Sequence, residues 1–564
     1  MNNCLYPLIF PEKYAKIKKM AFFPEECHRC GGTVREKQED IMRKFWRVLA
    51  LMLAVSVLLC CLAACGGGAA DTTKPGNQPG KDTTTSGGDN PNKWDGVDFK
   101  GDTLRISVSV NQDSEVTFQP GDRYLRGADT LSTQSDEVEK AVFNRNRNVA
   151  RALNIEVVYS ETDLAYDAVP GELDKIMQTA DANAPDIFNN DIWGLTKGMM
   201  QNYFYNVVNP VDENGNALKN YIDVNADCWM TDFMKGMTLD ESKIYMLAGD
   251  YFLDIIRMAW VFYVNIGLFE ENFGGDMGYD LTAFYQTVEE GNWTYEEMAG
   301  LSETVWRDTG KVDGEADMED EVVGVALNHC SWYIFSNSSG LPKMLEKKNG
   351  EYSVMTSNAA LGRVLDKFIE LLHGAGVYYE YNVLTSTQYF MNGNVLFAMS
   401  VLGEMESEEM RALTFKKGVV PFPKVDTETQ EVYHTTVHDQ AEIGAILNTT
   451  SNYTMVSAYL QYINEESANV LTEYYENSLK LRYNDDRQTA AMIDLVHDSI
   501  NSPFSMVMEG IAFSGFVSSD VTSVDYMVAA QNKQNTFATD YVNRYDPYCA
   551  AFRKMQEAFE ALDE

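Results

Sequence analysis

The sequence predicts an α/β protein built on a parallel-type sheet, in a chain long enough for two lobes. Strand and helix patterns alternate from Thr103 to Phe188. The chain from Cys65 to Glu564 is long enough to bury two separate cores. Beyond Val48–Cys61, no apolar run approaches the roughly 20 residues that a bilayer span needs.

The elements follow in chain order. Thr103 to Val110 alternates apolar and polar residues with period two, which predicts a strand. Ser135 to Leu153 places Val138, Ala141, Val142, Val149 and Leu153 on one helical stripe. Ile155 to Tyr159 predicts a second strand. Gly171 to Ala180 predicts a helix with Leu173, Ile176 and Met177 inward, and Ala184 to Phe188 leads into a third strand. Strand, helix, strand, helix, strand is the pattern of a parallel sheet covered by helices. Such sheets bind ligands at the carboxyl ends of their strands. Here those ends are Asn111-Gln112 and Asn189-Asn190-Asp191, with Trp193. Trp293-Thr294-Tyr295-Glu296-Glu297 reads as a helix start, with Thr294 as cap and acids in the first turn. Its Trp is expected to pack. Asn448–Ile463, Ser467–Ser478 and Ala490–Ile500 read as scaffold helices.

Ahead of this body stands a segment of another kind. Arg43, Lys44 and Arg47 precede the apolar run, which ends in Leu62-Ala63-Ala64-Cys65. Basic start, apolar middle and small-residue exit make a secretory signal peptide, expected over 42–64. The cysteine after Leu-Ala-Ala resembles a bacterial lipobox. That resemblance implies cleavage before Cys65, a lipid on its sulfur, and a chain held on the outer face of the cytoplasmic membrane. Residues 1–41 fit no role before such a signal. They are expected to reflect an upstream start chosen in error, and their lone Cys27-His28-Arg29-Cys30 lacks a second ligand pair. Residues 65–93, rich in Gly, Thr, Pro, Asp and Asn, read as a flexible tether.

The charge is strongly acidic. Of 45 Lys and Arg, 10 lie in the first 64 residues, against 6 of 84 Asp and Glu, so the segment from Cys65 onward carries a net charge near −43. Such a surface repels nucleic acid and anionic headgroups. It disfavours polyanionic ligands and permits neutral or cationic ones. Cys228, Cys330 and Cys549 are too sparse for a disulfide framework and are expected to be buried free thiols.

Six strings, in order, carry a resemblance. Ala184-Pro185-Asp186-Ile187-Phe188 looks like the "APDI" strand of the extracellular solute-binding proteins of bacterial ABC transporters, the large sugar-binding group in particular. Lys243 to Leu247 resembles "GKIYGLP", with Ser242 in place of the usual Gly. Val261 to Phe269 resembles "LYYNKDLF", and Asn292 to Met298 resembles "WTWDEL". Tyr389 to Met399 resembles "FxxGKAAM", with Asn394 and Val395 in place of Lys-Ala. Gly418 to Pro423 resembles "GVVPLP". The resemblance implies a two-lobe periplasmic-binding-protein-like fold, with hinge crossings and a cleft that closes on ligand. It places lobe one at 94–248 plus 420–465 and lobe two at 249–419. The C-terminal helices of 466–564 are shared between the lobes.

The implied function is capture of a small solute, an oligosaccharide for preference, and its delivery to ABC permease subunits. Such a protein is no enzyme, needs no cofactor or metal, and is expected to be monomeric. A sugar site pairs an aromatic face with carboxylates and amides. Asn190, Asp191 and Trp193 offer that set, beside Asn111. Family position adds Asp250 and Tyr251 after the hinge-like strand, Trp332 in an apolar turn, and Glu404 after the strand ending at Met399.

Catalytic signatures are few. No GxSxG, HExxH or phosphate-cradling loop occurs. His434 and His438 lie in a stretch that reads as strand, where packed or solvated histidines fit better than a zinc pair. Asp313–Glu321 reads as a solvated acidic loop without calcium-ligand spacing. The rival readings are an extracellular glycoside hydrolase, and a binding lipoprotein for a peptide, a polyamine or a sensor partner.

Overall fold

The computed structural model describes residues 93–562, apart from 112–115, 119, 180, 182, 276–277, 310–313, 319–320, 485 and 518–523. The expected signal peptide, Cys65 and most of the tether lie outside the described residues, as does Gln112. No helix among the described residues is long and apolar enough to cross a membrane.

The chain runs through β1 (Asp102–Ser109), α1 (Glu137–Leu153), β2 (Ile155–Thr162), α2 (Val169–Thr179), β3 (Ile187–Asp191), α3 (Ile192–Met199) and β4 (Met246–Leu247). It then crosses to β5 (Trp260–Asn265), followed by α4 (Tyr295–Val305), β6 (Val323–Leu327) and α5 (Ser331–Ser338). A hairpin of β7 (Leu345–Lys348) and β8 (Glu351–Val354) precedes α6 (Ala359–Leu372), β9 (Val377–Tyr379), β10 (Val395–Val401) and β11 (Lys417–Val420). The chain crosses back to β12 (Glu442–Ile446), then α7 (Tyr453–Glu465), α8 (Arg487–Asp498) and α9 (Phe537–Glu560).

Local chemistry explains the boundaries. Asp136 caps α1 by accepting the Glu139 N–H at 2.9 Å, and Asn154 ends it in the left-handed region at φ 50°. The stripe Val138, Ala141, Val142, Val149 and Leu153 is buried as its spacing predicts. Thr294 caps α4, and Trp293 is fully buried and donates to the Pro421 carbonyl at 2.9 Å.

Two five-stranded sheets result. The first has the order β2-β1-β3-β12-β4, and the second β11-β5-β10-β6-β9. The sequence pattern predicts parallel sheets, and β1 is indeed parallel to β2 and β3, as β6 is to β9 and β10. Yet β12 runs antiparallel to β3 and β4, and β5 antiparallel to β10 and β11. The crossings explain this. A strand entered directly from a crossing must begin at the junction, whereas β1, β2, β3, β6, β9 and β10 end on the junction side. The crossings pair with each other: the His438 N–H reaches the Met258 carbonyl at 2.8 Å, and the Trp260 N–H reaches the Thr436 carbonyl at 2.9 Å. All strands of the two sheets except β5 and β12 therefore turn their carboxyl ends toward the junction.

Four local expectations change. The helix expected over Ser467–Ser478 is one α-turn, Ala468–Leu471, continued as a π-helix over Thr472–Arg482. The Ser478 hydroxyl bonds the Glu473 carbonyl five residues back, which matches that wider turn. Trp332 lies on α5 rather than in a turn. Glu321, expected on a solvated loop, is buried and accepts the Trp306 indole N–H at 2.7 Å. Of the three free thiols only Cys228 is buried; Cys330 and Cys549 are partly exposed. Burial pushes the Cys228 thiol up to about 11.

Candidate functional site

The cavity at the junction is built from strand ends. Ser109 and Asn111 follow β1, Leu164 and Tyr166 follow β2, and Asp191 ends β3. Glu442 opens β12 directly opposite Asp191 in the antiparallel register. Cross-strand partners share a face, so these two carboxylates reach the same cavity wall. Asp254, Arg257 and Met258 enter from the first crossing.

Beneath this wall lies a buried ionic network. Arg257 is fully buried. Its Nε meets Glu406 Oε1 at 2.9 Å, and its Nη1 pairs with Asp254. The hydroxyls of Tyr124 (2.9 Å) and Tyr474 also donate to Glu406. Asp254 Oδ2 accepts the Glu442 N–H at 3.0 Å. Glu406 follows β10 in the second sheet and Asp254 follows β4 in the first, so one guanidinium ties the two halves together.

Residues 116–118 and 120–126, between β1 and α1, form a strap across the junction. Phe118 is 4% exposed and lies over the Arg257 guanidinium, 4.6 Å from its ring centroid. Thr117 donates its N–H (2.8 Å) and its hydroxyl to Glu404. Two glycines permit the close approach. A Cβ on Gly403 would meet Phe118 at 2.8 Å, and one on Gly121 would meet both Asp254 Oδ1 and Glu442 Oε2 at 2.9 Å. With the strap in place the cavity encloses about 50 Å³. That is room for on the order of four waters, not for a sugar chain. A larger groove of about 720 Å³ opens at the other end of the first sheet. Its Asp186 is occupied by the Arg105 N–H and the Thr450 hydroxyl.

The sequence-expected residues divide by place. Asn111 and Asp191 line the cavity. Asn111 donates to Asp163 at 2.9 Å, and Asp191 caps α3 through the Gly194 N–H at 2.6 Å. Asn190 is buried behind them, bonded to Thr162 at 3.3 Å and to the Asp191 N–H. Trp193 stands one step out, edge-on to the cavity-lining Tyr166 at 5.1 Å. Glu404 does not line the cavity; it is fully buried and holds the strap. Asp250, Tyr251 and Trp332 are also absent from the lining. Burial raises the Asp250 carboxyl to about 7. Tyr251 is buried beneath Arg145, whose guanidinium lies 4.8 Å from its ring centroid. Trp332 is 1% exposed, between Phe368 and Tyr526. His438 stacks on Trp260 in the crossing, and burial lowers the His434 imidazole. Among the described residues no cluster of three or more His, Cys, Asp and Glu is placed to hold a metal ion.

Sequence reasoning missed Phe118, Tyr166, Asp254, Arg257 and Glu442. A signal existed for two of them. Asp254 and Arg257 are charges inside the apolar stretch Tyr251–Val264, and buried charges demand partners.

Burial raises the Glu404 carboxyl from 4.5 to about 7, against the pull of the two Thr117 bonds. A carboxyl raised on folding stabilises the folded state most below its unfolded value. That contribution fades as pH climbs from 4.5 toward 7. Wild type is therefore expected to lose about 3 kcal/mol relative to Glu404→Gln across that window. Urea unfolding of both proteins at a series of pH values checks this, and parallel curves would refute it.

No family model matches the chain. No curated protein matches it either. Among solved structures, a cyclo/maltodextrin-binding protein complexed with maltotetraose aligns over 82% of this chain and 99% of its own. The identity is 12% and the TM-score 0.48. At that distance no residue's role passes from one chain to the other.

Proposed function

We propose that this protein is an extracellular solute-binding protein, anchored through Cys65, that captures an oligosaccharide between its two lobes and delivers it to an ABC permease. One observation carries the reading: the carboxyl ends of β1, β2 and β3 open on a cavity bordered by two mutually paired crossings that lead to the second sheet. Ligands of α/β sheets sit at such ends. The ordered motifs from Ala184 to Pro423 and the lipobox-like Leu62–Cys65 supply the family and the anchor. On this reading the protein does no chemistry. Affinity arises from preferential binding to the closed state, and the strap yields its place to the ligand.

A thermal-shift screen of the full chain against mono- and oligosaccharides, peptides and polyamines tests this. A ligand at 100 times its Kd adds about 2.7 kcal/mol, on the order of a 3 °C rise for a body of this size. A rise with an intact oligosaccharide supports the reading. Breakdown of the glycoside would replace it with a hydrolase. A flat response across the panel would remove it.

A further inference from the structure

The chemistry of the cavity wall narrows the ligand, granted that this cavity is the ligand site. Glu442 is 4% exposed. Its Oε1 accepts the Ser109 N–H at 3.0 Å, while its Oε2 is buried with no hydrogen-bond partner among the described residues. Asp254 Oδ1 and Glu442 Oε2 both lie 2.9 Å from the point where a Gly121 Cβ would stand, so they are at most twice that distance apart. Asp191 faces the same wall from β3. Arg257, the one cation among the described lining residues, is engaged by Glu406 and Asp254 and covered by Phe118. A buried carboxylate oxygen without a donor costs free energy that a donor cation would recover. Tyr166, after β2 and outside the strap, borders the same space and offers an apolar face for the atoms next to such a cation.

We propose that the cleft binds a solute bearing a protonated primary amine, with its ammonium group seated at Glu442 beside Asp191 and Asp254. Gly121 now closes over Glu442 Oε2, so the amine takes that position as the strap withdraws. The groups facing Glu442 support the assignment. Burial and the charges of Asp254 and Asp122 push its carboxyl well above the usual range, against the Ser109 N–H and Arg257. An arriving cation reverses that push. The ammonium has two sources, an amino sugar with its amine free or an open-chain polyamine.

Calorimetry on the full chain at pH 7 separates them, with four probes: a glucosamine oligosaccharide, its N-acetylated counterpart, a neutral gluco-oligosaccharide and spermidine. The glucosamine oligosaccharide is expected to bind about tenfold or more tighter than the N-acetylated form, since a hydrogen bond to a charged group is worth at least that ratio. Glu442→Gln is expected to reduce the ratio to within about twofold, and Glu442→Asp to retain most of it. Retention by Glu442→Asp shows that the site still folds. Binding of spermidine alone supports the ammonium site and overturns the oligosaccharide reading. Equal binding of the acetylated and free-amine forms, or a preference that survives Glu442→Gln, overturns the ammonium site and leaves solute capture standing. No binding by any probe at about 1 mM overturns both.

Discussion

Arg257→Ala is expected to remove about 3–5 kcal/mol of folding stability, because it leaves Glu406 and Asp254 buried without their cation. The guanidinium is fully buried, bonds both carboxylates and supports the rings of Phe118 and Tyr124. Losing it removes an ion partner and a packing surface together. The midpoint and slope of urea unfolding read the loss. Arg257→Lys is expected to recover only part of it, since an ammonium keeps the charge but lacks the planar fork that serves two carboxylates at once. A loss below about 1 kcal/mol, the size of an ordinary surface pair, would mean that this network does not hold the halves together.

Trp332→Ala is expected to cost a similar amount, about 3–5 kcal/mol, by opening a cavity in the core of the second half. The indole is 1% exposed and tilted against Phe368 at 5.8 Å and Tyr526 at 6.2 Å. Affinity for any ligand of the cleft is expected to stay unchanged in the folded fraction, because Trp332 does not line the cavity. Trp332→Phe sharpens the test. The indole Nε1 has no hydrogen-bond partner among the described residues, so a phenyl ring loses volume but leaves no donor stranded, and costs less than alanine. A large affinity loss with intact stability would return Trp332 to the ligand site.

These two residues show where sequence reading succeeds and where it stops. The elements were legible because their causes are local. Period two in Thr103–Val110 and the stripe from Val138 to Leu153 are written in neighbouring residues, as is the Thr294 cap. The same holds for the strand ends that brought Asn111 and Asp191 to the cavity. Trp332, Tyr251 and Glu404 were drawn to the ligand by family position. All three are buried and outside the cavity lining, Trp332 in a helix core, Tyr251 under Arg145 and Glu404 beneath the strap.

The sequence by itself determined the α/β alternation, the helix caps, the acidic charge and the strand ends on which a site would stand. Each depends on residues a few positions apart. Only the tertiary structure decided which charges face that site. Glu442 meets Asp191 across 250 intervening positions because β12 enters from the return crossing and must run antiparallel. Arg257 finds Glu406 because β5 starts where β10 ends. Thr117 finds Glu404 because the strap spans the junction. Those pairings depend on how two sheets share one junction, and no local pattern encodes that geometry.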